Sequence, residues 1–185
     1  MKEMKIKDLM VPVEEYARVS EDAILQQAVL ALEEAQINFK KSPYKHRAIL
    51  VFNEKTGDLV GKLSQWAILK GLEPKYDEIV DTSKLSRFGF TPEFTRSIMQ
   101  HYKLLQAPLD QVCQKAATLK VKDMMNKVDK NEYLDIETTL DQAIHCFVMG
   151  HNQSLMVTKR GKVVGILRLS DVFKEICYRI KLCEL

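Results

Sequence analysis

The sequence has no long apolar run. Hydrophobic residues make up 46% of its 185 positions but are broken every few residues by the 29% that are charged, so nothing reads as a membrane span or a secretory leader. Cytoplasm is therefore the expected location. Cys113, Cys146, Cys177 and Cys183 show no two-residue spacing and no paired pattern with the four histidines, which argues against a disulfide framework or zinc site and for reduced thiols. A strong excess of one charge is missing too: a net +3 is too mild to indicate the concentrated basic face of a nucleic-acid protein. Gly61-Lys62 and Gly161-Lys162 lack the upstream glycine and the following Ser or Thr of a phosphate-gripping loop. His46, His101, His145 and His151 are scattered, with no nucleophile or metal pattern around them. No enzymatic activity is expected.

What the chain does contain is one unit written twice. Met4-Lys5-Ile6-Lys7-Asp8-Leu9-Met10 returns as Leu119-Lys120-Val121-Lys122-Asp123-Met124-Met125, and at the same offset Leu25-Gln26-Gln27-Ala28-Val29 is answered by Leu140-Asp141-Gln142-Ala143-Ile144. Further on, Leu59-Val60-Gly61-Lys62-Leu63-Ser64 corresponds to Val163-Val164-Gly165-Ile166-Leu167-Arg168, once the first half is allowed about eleven extra residues.

Each copy reads as strand, helix, strand, strand, helix. In the first, a strand near Arg18-Val19 precedes a helix opened by Ser20-Glu21-Asp22 and running to Ala35, with Leu25, Val29 and Leu32 at helical spacing. In the second, a strand near Tyr133-Leu134 precedes a helix whose Thr138-Thr139-Leu140-Asp141 has the form of a capping box and whose stripe is Leu140, Ile144, Phe147 and Val148. Ala48 to Phe52 and Leu59 to Leu63, around Gly57, form one hairpin; Ser154 to Thr158 and Lys162 to Leu167, around Gly161, form the other. Second helices start near Ser64 and Ser170, the latter with Val172, Phe173, Ile176 and Ile180 on one side.

A half of about sixty residues with helices on one sheet face leaves the other face bare, so the halves should pack sheet to sheet as a pseudo-twofold α+β body with two related clefts. The expected organisation is 1–72, a helical insertion at 73–117, and 118–185. Within the insertion, Thr91-Pro92-Glu93 starts a helix bearing Phe94, Ile98, Tyr102 and Leu105, and Leu109, Val112, Cys113 and Ala116 form a second short one after Pro108. The stripe within Phe88 to Leu105 suits intramolecular core or self-association.

These residues resemble the tandem cystathionine beta-synthase domain pair, the CBS pair. The likeness rests on Ile6-Lys7-Asp8-Leu9-Met10 and Val121-Lys122-Asp123-Met124-Met125, on the first helices, and above all on Gly165-Ile166-Leu167-Arg168-Leu169-Ser170-Asp171. The family writes that last run as Gly, two apolar residues, Thr or Ser, two variable residues, then Asp. The resemblance implies a regulatory module that binds an adenosine-containing ligand, an adenine nucleotide or S-adenosylmethionine, between its halves. It also implies a homodimer and signalling to a separate protein or through self-association, with a ligand-free scaffold as the alternative.

In the family the closing Asp bonds the ribose hydroxyls and the Thr or Ser contacts phosphate or ribose. This chain splits the pair: the second half keeps Asp171 but has Arg168 in the hydroxyl position, while the first keeps Ser64 and has Ala67 in place of the carboxylate. Ribose acceptance at Asp171 favours the second-half cleft, although an acid there also suits a helix dipole. Arg168, beside Ser170, is either a fork for phosphate or a solvated strand-end cation. Ser154-Leu155 and Ala48-Ile49 stand where the family's strands approach the base. Lys40-Lys41-Ser42-Pro43-Tyr44-Lys45-His46-Arg47 either reaches a phosphate with His46 and Arg47 at its end or is a solvated loop.

Overall fold

The computed structural model describes residues 4–72, 97, 101 and 110–183. Apart from positions 97 and 101, the apolar stretch from Phe88 to Leu105 lies outside them. In chain order the elements are β1 (Val11–Pro12), β2 (Arg18–Ser20), α1 (Leu25–Asn38), β3 (Ala48–Phe52), β4 (Leu59–Ser64), α2 (Gln65–Leu72), α3 (Asp110–Thr118) and α4 (Val121–Met124). They continue with β5 (Tyr133–Asp135), α5 (Leu140–Gly150), β6 (Ser154–Lys159), β7 (Lys162–Arg168) and α6 (Leu169–Leu182). Both halves repeat the expected order. One sheet runs β2-β3-β4 and the other β1-β7-β6-β5, each with a parallel outer pair, β2/β3 or β5/β6, and an antiparallel hairpin.

The helices take their faces from spacing, but not the faces the largest side chains suggest. α1 buries Leu25, Ala28 and Leu32, and α5 buries Leu140, Ala143 and Phe147. The small alanine lets each helix lie close on its sheet, so Val29 and Val148 turn out to solvent, as do Phe173 and Ile180 on α6, whose Val172 is the buried contact. The caps also sit later than the sequence suggests. Gln27 Oε1 accepts from the Ile24 amide before α1, while the Ser20 hydroxyl accepts from the Asp22 amide in the preceding turn. At α5 the reciprocal pair is Thr139 with Gln142, one residue beyond Thr138 and Asp141.

The opening motif of each repeat leaves its own half and completes the other. Ile6 is fully buried in the second-half core with Leu134, Leu140, Leu155 and Leu167, and Val121 in the first-half core with Leu25, Ile49 and Leu63. Equivalent hydrogen bonds hold both: Ile6 N to Thr138 O at 3.1 Å and Val121 N to Ala23 O at 2.9 Å. β1 then pairs with β7, Val11 opposite Ile166, and Asn126 exchanges two 2.9 Å bonds with Lys62 of β4.

This exchange explains the glycines that the two copies share. A Cβ at Gly165 would lie 2.7 Å from Met10 Sδ and 2.9 Å from the Val11 carbonyl; one at Gly61 would meet Met125 Sδ and the Asn126 carbonyl at the same distances. Only glycine leaves room for the crossing strand. Between the sheets, Leu50 of β3 meets Met156 of β6, Ile166 of β7 and Val11, with Val13, Tyr16 and Phe39 completing a third apolar cluster. The bare faces expected from the sequence thus close on each other.

Candidate functional site

Two unlike clefts flank this junction. The first, of about 380 Å³, is bordered by Lys45, Arg47 and Ala48 at the start of β3, Lys62 and Ser64 on β4, Trp66 on α2, and Asn126, His151, Asn152, Gln153, Ser154, Arg168 and Ser170 from the second half. Four cations and no carboxylate stand among these lining residues. Ser64 is the cap of α2: its Oγ accepts from the Ala67 amide at 3.1 Å, which leaves the hydroxyl hydrogen free to donate. Ala67 is buried in the first-half core, so the position for which the resemblance implied a carboxylate faces hydrocarbon. Lys62 is not a free cation, since its ammonium pairs with the buried Glu132. Lys45 donates to the Phe39 carbonyl at 2.8 Å, and Arg47 is exposed.

The second cleft, of about 340 Å³, lies beside Asp171 and is bordered by Met10, Val11, Pro12, Phe39, Lys41, Ser42, Arg168, Lys174 and Tyr178. Its hallmark acid is already satisfied. Arg168, 5% exposed, donates from Nε to Asp171 Oδ2 and from Nη2 to Oδ1 at 2.8 Å, a two-pronged ion pair three residues apart across the start of α6. Ser42 Oγ lies 3.4 Å from the same Oδ1. The third prong, Nη1, donates to the Tyr44 carbonyl at 2.9 Å and approaches His46 Nδ1 at 3.4 Å, while Arg168 Cζ stands 4.9 Å from the Phe39 ring centre.

His46 is wholly buried, its ring 4.2 Å from that of Tyr16 and 4.5 Å from that of Phe39. Among the described residues its Nε2 meets no hydrogen-bond partner. Burial, then the adjacent Arg168 charge, push its pKa down from 6.5 to about 4, against the opposing pull of the Glu15 backbone and the Asp171 and Glu15 carboxylates. The imidazole is neutral at pH 7. Burial likewise raises the Tyr16 hydroxyl to about 12; Arg168 opposes that shift and Asp171 adds to it.

Of the residues singled out from sequence, Arg47, Ser64, Ser154, Arg168 and Ser170 come together around the basic cleft. Leu155 does not form a pocket wall: alternation along β6 turns it, like Ile49 on β3, into the core of its own half. His46 stacks between aromatic rings, and Asp171 faces the other cleft with its carboxylate already bonded. Sequence reasoning passed over Lys62, Trp66 and Asn126. Lys62 carried a signal, lying in a run matched between the two copies, and Asn126 follows directly on another; Trp66, 70% exposed, carried none. Among the described residues, no three His, Cys, Asp or Glu side chains could hold a metal ion, and no helix is long and apolar enough to cross a membrane.

A family model for the CBS domain matches residues 121–178. Among solved structures, the CBS-pair protein CBSX2 from Arabidopsis thaliana aligns with a TM-score of 0.61 at 17% identity, covering 98% of this chain and 100% of that one. CBSX2 in complex with AMP aligns with a TM-score of 0.57 at 18% identity, over 96% and 98% of the two chains. The CBS domain of a bacterial CNNM/CorC family Mg2+ transporter in complex with ATP gives 0.58 at 12% identity, over 94% and 87%. A search of curated proteins gave no match. At these identities the structural likeness concerns the fold.

Proposed function

Because the chain folds as a CBS-domain pair, we propose that it is a regulatory module binding a phosphorylated adenosine nucleotide in the basic cleft and signalling to a separate protein or through self-association. The carrying observation is the cleft's composition: Lys45, Arg47, Lys62 and Arg168 border it together with the Ser64 hydroxyl hydrogen, and although Lys62 and Arg168 are paired with Glu132 and Asp171, neither carboxylate lines the wall. Such a wall favours ligands in order of phosphate charge, ATP before ADP before AMP. It disfavours S-adenosylmethionine, whose sulfonium is a cation. Trp66 offers an exposed ring at the edge on which a base can stack. That solved structures of the same fold carry AMP or ATP supports the class of ligand.

Thermal denaturation with each ligand tests this reading. A ligand at a hundred times its dissociation constant adds about 2.7 kcal/mol, several degrees in midpoint for a chain of this size. The expected order is ATP, ADP, AMP, then adenosine with no shift. A uniform absence of shifts would favour a ligand-free scaffold, a second reading supported by the Arg168–Asp171 pair and by exposed Trp66, Leu69, Phe173 and Ile180 as contact surface.

A further inference from the structure

The halves differ most in the chain that joins the first helix to the second strand. In the second half α5 reaches β6 through positions 151–153; in the first, α1 reaches β3 through the longer loop 39–47. That loop does not stay on its own half. Ser42 bonds Asp171, the Tyr44 carbonyl accepts from Arg168, His46 lies against the same guanidinium, and Phe39 lies under it. Lys45, reaching back to the Phe39 carbonyl, ties the loop across its base. The shorter connection 151–153 leaves the Ser64 cleft open, whereas loop 39–47 places its own polar atoms on the acid of the other cleft. Arg168 borders both clefts.

We propose that loop 39–47 is a built-in wall of the Asp171 cleft that engages its acid, clasped by Arg168, and that an anion bound in the basic cleft releases it by drawing on the same guanidinium. The coupling rests on the reading that the basic cleft takes phosphate; the clasp does not. A guanidinium offers a limited fork of donors, and those of Arg168 are directed to Asp171, Tyr44 and His46. A polyphosphate competing for that fork leaves the Tyr44 carbonyl and Asp171 without their charged donor and shifts the loop toward its open state by the difference in affinity for the two states. The chain would then keep Asp171 engaged when the basic cleft is empty and free it when that cleft is occupied.

Limited trypsin digestion followed by mass spectrometry reads the loop directly, because Lys40, Lys41, Lys45 and Arg47 are cleavage sites within it. Without ligand, the double variant Arg168→Gln/Asp171→Asn, which removes both charges and leaves neither buried alone, should be cut in the loop about tenfold faster than wild type, with cleavage elsewhere unchanged. An unchanged loop rate would overturn the clasp, as would acceleration throughout the chain. In wild type, tripolyphosphate and ATP at concentrations that raise the melting midpoint should each accelerate loop cleavage about threefold or more. Loop protection by either, or no change, would overturn the coupling. No midpoint shift with ATP or tripolyphosphate would end both the coupling and the nucleotide reading, while the ligand-free comparison still decides the clasp.

Discussion

The two clefts descend from one repeated unit and are of similar size, yet one is lined by cations with no carboxylate while in the other the acid is already bonded by the chain itself. In the first half the position at the end of the hairpin carries Ser64, whose hydroxyl caps the next helix and keeps its hydrogen free to donate. In the second the same position carries Arg168, and the acid three residues later closes on it. A guanidinium beside a carboxylate in a buried place has no strong alternative partner in solvent, so the pair forms within the protein and the acid ceases to be an open site. Keeping an acid at a position is therefore not the same as keeping it available.

The largest test of this contrast removes one member of the pair. Arg168→Ala would leave Asp171 buried without its cation and should lower unfolding free energy by about 3 to 5 kcal/mol, whereas replacing both by leucine should recover most of the loss. Urea denaturation of the two variants measures both, and a mild effect of the single substitution would mean that the clasp is weak.

His46 gives the next effect. Its folded pKa of about 4 lies below the ordinary 6.5, so the unfolded chain takes up this proton first as pH falls. The stability it contributes is complete above about pH 6.5 and is lost progressively toward pH 4, by up to about 3 kcal/mol. Arg168, Asp171, Glu15 and Tyr16 are the charged and titratable groups that face it. His46→Gln should flatten this part of the pH profile, read from chemical denaturation midpoints at pH 7 and pH 4.5.

Gly61→Ala and Gly165→Ala test the symmetry that underlies the comparison. Both place a methyl against a methionine sulfur and a carbonyl of the crossing segment at the same distances, so each should destabilise by about 1 to 3 kcal/mol and by similar amounts. A large difference between them would show that the two crossings do not bear equal weight. The smallest change in stability, within about 0.5 kcal/mol, is expected for Arg47→Ala, because the side chain is exposed. Its ATP affinity should nonetheless fall about tenfold, measured by titration calorimetry, as one charged hydrogen-bond donor to phosphate is removed.

Much of this architecture is legible along the chain. The strand and helix order follows from alternation, helical spacing and the turn glycines Gly57 and Gly161, both at positive φ. Burial of Ala28 in place of Val29 was not legible, because residue size does not say which side of a helix meets the sheet. The repeated Lys-Asp motif announced a duplication but not that each copy would cross to the other half; nothing local distinguishes a segment that packs at home from one that packs across.

The sequence offered Arg168 as a phosphate fork or a solvated cation; the internal pair with Asp171 was a third state it did not offer. Burial and the approach of Ser42 and Tyr44 decided for that pair. By itself the sequence determined two copies of one small unit, their glycine hairpins and the apolar faces that had to meet, since these depend on periodicity within a few residues. Only the tertiary structure decided the exchange of opening segments and the unequal fates of the clefts. Those depend on groups far apart in sequence, such as Ser42 and Asp171, competing with water for the same hydrogen bonds.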